Sequence, residues 1–177
     1  MNAMNFTSSH AKMIIAFLIA GIISFYFSDA SSARAPIRTI TGTVTKVSDG
    51  DTIQITTPEQ TKLRVRLYGI DAPEMPKTNP PPGYVRVHGE SFGKDCRKAL
   101  EAKIMGKKIR MDIMDIDKSR QTFGIIWLGN RNINLEMIRE GYAKAYDEYL
   151  KEPYRSEFRL AQKEARSSRR GLWNLPE

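Results

Sequence analysis

Between Arg38 and Ile70 the chain alternates β-branched and polar residues in three runs, ITGTVTKV, TIQIT and KLRVRLYGI. A period of two sends successive side chains to opposite faces, so each run suits a strand with one buried face and none suits a helix. Ser48-Asp49-Gly50-Asp51 and Thr57-Pro58-Glu59-Gln60 separate the runs. Turn-forming residues at such short intervals join neighbouring strands antiparallel, which predicts a meander.

The rest of the chain reads as loop, helix, two strands and two helices. Pro73, Pro76, Pro80, Pro81, Pro82 and Gly83 make the segment Glu74 to Gly89 too proline-rich for regular structure, and long enough for a binding loop or lid. Ser91 is placed to cap a helix in which Phe92, Cys96, Leu100 and Ile104 recur every four residues and which Gly106 ends. KKIRMDIMDI and QTFGIIWL fit two further strands. A short helix over Asn134 to Arg139 with Leu135, Ile138 and Tyr142 on one side, and a last helix over Ser156 to Arg170 closed by Gly171, complete the pattern. Five short strands, three helices and a basic charge predict an α+β, mainly β fold built on an oligonucleotide-binding (OB-type) barrel, with a sandwich as the alternative.

At 177 residues there is room for one sizeable domain. The 41% apolar content supports a packed core, and the excess of 28 Lys and Arg over 20 Asp and Glu, a formal charge of +8, favours polyanionic partners. Cys96 alone excludes an intramolecular disulfide. With only His10 and His88 beside it, no structural zinc set can form. Its helical setting suits a buried thiol better than a nucleophile.

Residues 1–33 differ in kind. Lys12 precedes the apolar run Met13 to Phe27, and small residues follow through Ala33. This is the order of a secretory signal peptide cleaved after Ala30 or Ala33, with an uncleaved N-terminal anchor as the alternative because the run is shorter than a membrane span of about 20 residues. Export is the expectation, to the exterior or the periplasm, with the folded domain over 37–175.

Two segments carry the chemistry: Ser48-Asp49-Gly50-Asp51-Thr52 and Arg64-Val65-Arg66-Leu67-Tyr68-Gly69-Ile70-Asp71-Ala72-Pro73-Glu74. Taken alone, the first is a hairpin turn in which Asp-Gly supplies positive φ angles, and the second is a strand end opening a loop. A meander brings the two together, so that Asp51, Asp71 and Glu74 converge. Converging carboxylates repel unless a cation joins them, and hard oxygen donors suit Ca²⁺ or Mg²⁺. Arg66 lies within reach of the same pocket, and an arginine beside a metal and a carboxylate suits phosphoryl chemistry. Arg64 and Arg66 equally fit a solvated strand face.

VSDGDT, VRLYGIDAPE, INLEMIREGYA and SRRGLW together resemble the staphylococcal nuclease, or thermonuclease-like, family over Ile37 to Trp173. The resemblance implies a five-stranded barrel with three helices and a Ca²⁺-dependent phosphodiesterase acting on DNA and RNA, with single strands preferred and 3′-phosphorylated products. It implies Asp51, Asp71 and the Ala72 carbonyl as metal ligands, Asp49 as a turn-forming or water-mediated acid, Glu74 as the general base and Arg66 as one of two phosphate-binding arginines. The expectation is a monomer, with no stable protein partner implied.

The chain departs from that family at Asp117-Lys118-Ser119-Arg120-Gln121. An ungapped count places Gln121 where the second arginine belongs, Arg120 at a glycine position and Ser119 at an aromatic one. Losing a charge-assisted contact of that kind costs on the order of 100- to 1,000-fold in rate. Either Arg120 takes over through a remodelled turn, or the chain is a catalytically impaired binding module. Lys118, Gln121 and Tyr149, with Tyr146, are the expected substrate contacts. Lys77, Arg86, Lys94, Lys107, Lys108, Lys118 and Arg120 form the expected electrostatic funnel.

Overall fold

The computed structural model describes residues 35–76, 92–148 and 150–175. The segment expected to be a signal peptide, the expected Ser91 cap, Lys77, Arg86, His88 and Tyr149 lie outside the described residues. The strands are β1 (Arg38–Val47), β2 (Thr52–Thr56), β3 (Lys62–Leu67), β4 (Ile70–Asp71), β5 (Lys108–Ile116), β6 (Thr122–Leu128), β7 (Arg131–Asn132) and β8 (Lys144–Ala145). Helices α1 (Gly93–Ile104), α2 (Ile133–Arg139) and α3 (Tyr154–Ser167) complete the set, followed by a 3₁₀ turn at Gly171–Asn174.

The five long strands run in the order β3-β2-β1-β5-β6, and a parallel pairing of β3 with β6 closes them into a barrel. This is the five-stranded barrel with three helices expected from the sequence. Antiparallel registers such as Ile53↔Val65 and Ile55↔Leu63 put the apolar positions of the meander inside. Val44, Ile53, Ile55, Val65, Leu67, Met111 and Ile125 are all at most 1% exposed and fill the interior. On α1, Cys96, Leu100 and Ile104 form a fully buried stripe, as the four-residue spacing predicts. Burial pushes the Cys96 thiol up to about 12, so it is an inert core group.

Several boundaries differ from the sequence reading. The third run breaks after Leu67 because Gly69, at φ +73, turns the chain, and Ile70–Asp71 pairs instead with Lys144–Ala145. Phe92 begins α1 without a side-chain cap bond. Asn132, whose side chain accepts from the Leu135 N–H at 3.1 Å, starts α2 one residue early. The last helix covers Tyr154–Ser167, starting two residues before Ser156 and ending short of Arg170. Gly50 does not adopt a positive φ. Glycine is required there for space: a Cβ would lie 2.6 Å from the Ala72 Cβ and 2.7 Å from the Cys96 Cβ.

Candidate active site

The turn between β1 and β2 is built to present Asp51. The Asp49 carboxylate accepts from the Asp51 N–H at 3.0 Å, so Asp49 forms the turn. Asp51 is only 4% exposed. Its Oδ1 accepts from the Thr52 hydroxyl at 2.9 Å, and its Oδ2 accepts from Arg66 at 3.0 Å and from the Ala72 N–H at 3.3 Å.

The same Arg66 Nη2 donates to Asp71 Oδ1 at 2.9 Å. One guanidinium nitrogen therefore joins a buried acid and an exposed one. Burial, opposed by Arg66 and reinforced by Asp49, raises the Asp51 carboxyl to about 7. Arg66 alone leaves the buried Asp51 charge incompletely compensated.

Two oxygens that already converge on one cationic nitrogen at 2.9–3.0 Å need little movement to reach the 2.3–2.6 Å of a calcium–oxygen bond. The Arg66 side chain is 38% exposed, so solvent reaches the guanidinium that joins the two acids. The donor set therefore fits a hard divalent cation held by Asp51 and Asp71, with the rest of its sphere supplied by backbone carbonyl and water.

The third predicted carboxylate is not drawn in. Glu74 is exposed on the segment following Ala72, and no three acidic, histidine or cysteine side chains among the described residues form a metal-holding group. The Glu74 segment is nevertheless fixed from beneath. A Cβ on Gly93, the first residue of α1, would collide with the Glu74 carbonyl.

Beside the acid–arginine cluster lies a cavity of about 380 Å³ lined by Arg66, Tyr68, Asp71, Asp115, Phe123 and Tyr146, among others. Phe123 sits opposite Arg66 in the β3–β6 register. Asp115, Phe123 and Tyr68 went unrecognised in the sequence because only the closure of the barrel brings β5 and β6 to β3. Tyr146 is 43% exposed at the rim of the cavity and donates its hydroxyl to Glu148 at 3.0 Å.

Asn134 was also missed as a site support, although an amide inside an apolar helix pattern is a legible anomaly. It is fully buried. Its Nδ2 donates to the Tyr68 and Gly124 carbonyls, both at 3.0 Å, and its Oδ1 accepts from the Ile126 N–H at 2.9 Å. This clamps the chain directly after Arg66 to β6.

The β5–β6 turn is organised by Asp117, whose Oδ1 accepts from the Ser119 hydroxyl at 2.7 Å and from the Gln121 N–H at 2.8 Å. Those bonds hold the Asp117 carboxyl below its ordinary value. Gln121 is half-buried and its amide donates to the Thr122 carbonyl at 3.3 Å. Neither Gln121 nor Arg120 lines the cavity. Arg120 is exposed at φ 65, a left-handed conformation, and Lys118 is exposed beside it. Lys94, Lys107 and Lys108 are exposed on other elements.

A closed five-stranded barrel carrying two acids on a central arginine at its rim defines a nuclease-type α+β scaffold. The model of the family described as "Staphylococcal nuclease homologue" matches residues 64–175, and the chain belongs to that family. It is 33% identical over 144 residues to a micrococcal nuclease of Shigella flexneri, covering 76% of this chain and 74% of that protein. A thermonuclease of Staphylococcus intermedius is 34% identical over 130 residues, 73% of this chain and 74% of its own length. An uncharacterized endonuclease of Haemophilus influenzae is 32% identical over 130 residues, 73% of this chain, and the chain spans 64% of that relative's length.

Proposed function

We propose that this protein is an exported, Ca²⁺-dependent nuclease that hydrolyses phosphodiester bonds in DNA and RNA, preferring single strands. The observation that carries the reading is the Arg66 guanidinium held between Asp51 and Asp71 at the mouth of an aromatic-lined cavity. Nuclease relatives support the reaction class. The signal-like pattern of residues 12–33 supports export.

Asp51, Asp71 and the Ala72 carbonyl would hold the cation, which would supply neutralisation of phosphate charge. Arg66 donates hydrogen bonds to the non-bridging phosphate oxygens and stabilises the charge they gain. Glu74, exposed on the segment that follows Ala72, accepts the proton of the attacking water. The water oxygen bonds to phosphorus as the bond to the 5′-oxygen breaks; the 5′-oxygen takes a proton from solvent water, leaving a 3′-phosphate and a 5′-hydroxyl.

The test is cleavage of a fluorogenic single-stranded DNA with Ca²⁺, with chelator, and by Glu74→Gln. Cleavage that requires both Ca²⁺ and Glu74 supports the mechanism. Retained activity in Glu74→Gln refutes its role as base. A second reading, a catalytically impaired nucleic-acid-binding or protein-binding module, is favoured by the neutral Gln121 at the second-arginine position. Gln121→Arg separates the two: a large gain in rate marks a handicapped enzyme, and an inert variant marks a module.

A further inference from the structure

The outer face of the β1–β2–β3 meander carries two rows of polar side chains that the proposed reaction does not use. One row runs Lys46, Gln54, Arg64 across paired positions. The other runs Lys108, Thr43, Thr56, Lys62. Each begins and ends in a cation and is neutral between. All four cations are exposed, and none makes an ion pair with a described residue.

The rows line two shallow concavities of about 400 and 510 Å³, the first edged by Ser48 and the second by Thr45 and Gln60. No carboxylate lines either one. Lys62, Arg64 and Arg66 alternate along β3 and so share its outer face, which makes Arg66 the next step in the same series. Alternate strand residues stand about 6.6 Å apart. That is close to the step between neighbouring phosphates in an extended nucleic-acid strand.

We propose that this face is a phosphate track: Lys46 with Arg64, then Lys62 with Lys108, grip successive phosphates of a single strand whose scissile phosphate lies at Arg66. Ser48, Gln54, Thr43 and Thr56 donate neutral hydrogen bonds to phosphate oxygens, whereas the Thr45 hydroxyl already donates to the Gln54 carbonyl at 3.3 Å. The rows offer no apolar insertion surface for a membrane. They offer no base-reading aromatic either, so binding along them is independent of sequence and sensitive to salt. The placement of the scissile phosphate rests on the nuclease reading, whereas the grip on the strand does not.

The test uses the double variant Lys46→Gln/Arg64→Gln. Anisotropy of a labelled oligothymidylate, read in chelator so that no cleavage occurs, gives affinity against salt. For single strands each lost contact flattens the log–log slope by about 0.7, so the variant should be shallower by about 1.4. Turnover of a thymidine dinucleotide, too short to reach beyond Arg66, should be unchanged with Ca²⁺. The control Lys163→Gln/Arg169→Gln removes the same charge from the region of α3 and should keep the wild-type slope.

An unchanged slope in the first variant overturns the track, as does an equal flattening in the control. A dinucleotide rate that falls with oligomer affinity also overturns it, because Arg64 would then act through Arg66. A protein that cleaves nothing but shows the slope change refutes the nuclease reading and leaves the track standing.

Discussion

Replacing Asn134 by Ala tests how the barrel holds the backbone that carries Arg66. The substitution removes three hydrogen bonds from a site with no solvent access. The Gly124 carbonyl keeps the Tyr68 N–H as a partner at 2.8 Å. The Ile126 N–H loses its amide partner, and the Tyr68 carbonyl loses the amide's donor. Each buried polar group stranded in this way costs about 1–3 kcal/mol. The vacated amide volume adds about 1 kcal/mol. The expected loss is about 3–7 kcal/mol, a large part of the stability of a domain this size. Urea unfolding followed by circular dichroism should show a lower midpoint with an unchanged slope. A loss below about 1 kcal/mol would refute the clamp. Asn134→Asp should be no better, because it turns a donor into a buried acceptor facing two carbonyls.

Gly50→Ala places a methyl group against Ala72 and Cys96, costs about 1–3 kcal/mol in urea unfolding, and should weaken Ca²⁺ binding measured by calorimetry because the Asp51 turn is displaced. The raised Asp51 pKa means that the metal-free fold binds this proton more tightly than the unfolded chain does. Its stabilising contribution is complete below 3.8 and is lost as pH rises through about 7. In chelator the wild type should therefore lose about 2 kcal/mol between pH 5.5 and pH 8. Asp51→Asn should flatten that loss and saturating Ca²⁺ should offset it, both read from unfolding midpoints at the two pH values.

Local signals made much of this molecule legible. Alternation gave the meander because each strand buries one face, and a four-residue apolar stripe gave α1. Asp51, Arg66 and Asp71 could be brought together on paper because a meander is a short-range object. Long-range closure was not legible. The parallel β3–β6 pairing and the β4–β8 pair join segments more than fifty residues apart, and they alone create the cavity of Phe123, Asp115 and Tyr146. Gly50 was misread as a conformational requirement because its reason is a tertiary contact with Cys96. Glu74 was expected with the other acids, but the segment carrying it leaves the cluster after Ala72.

Arg66 stands at the centre of the site, and Arg66→Lys tests its role most directly by keeping a positive charge beside Asp51 while removing the planar fork that grips a phosphate. Single-stranded DNA cleavage at saturating Ca²⁺ should fall on the order of 100-fold or more in kcat, with the unfolding midpoint nearly unchanged. Wild-type turnover in a folded Arg66→Lys variant would contradict the assignment of this arginine and the site built around it.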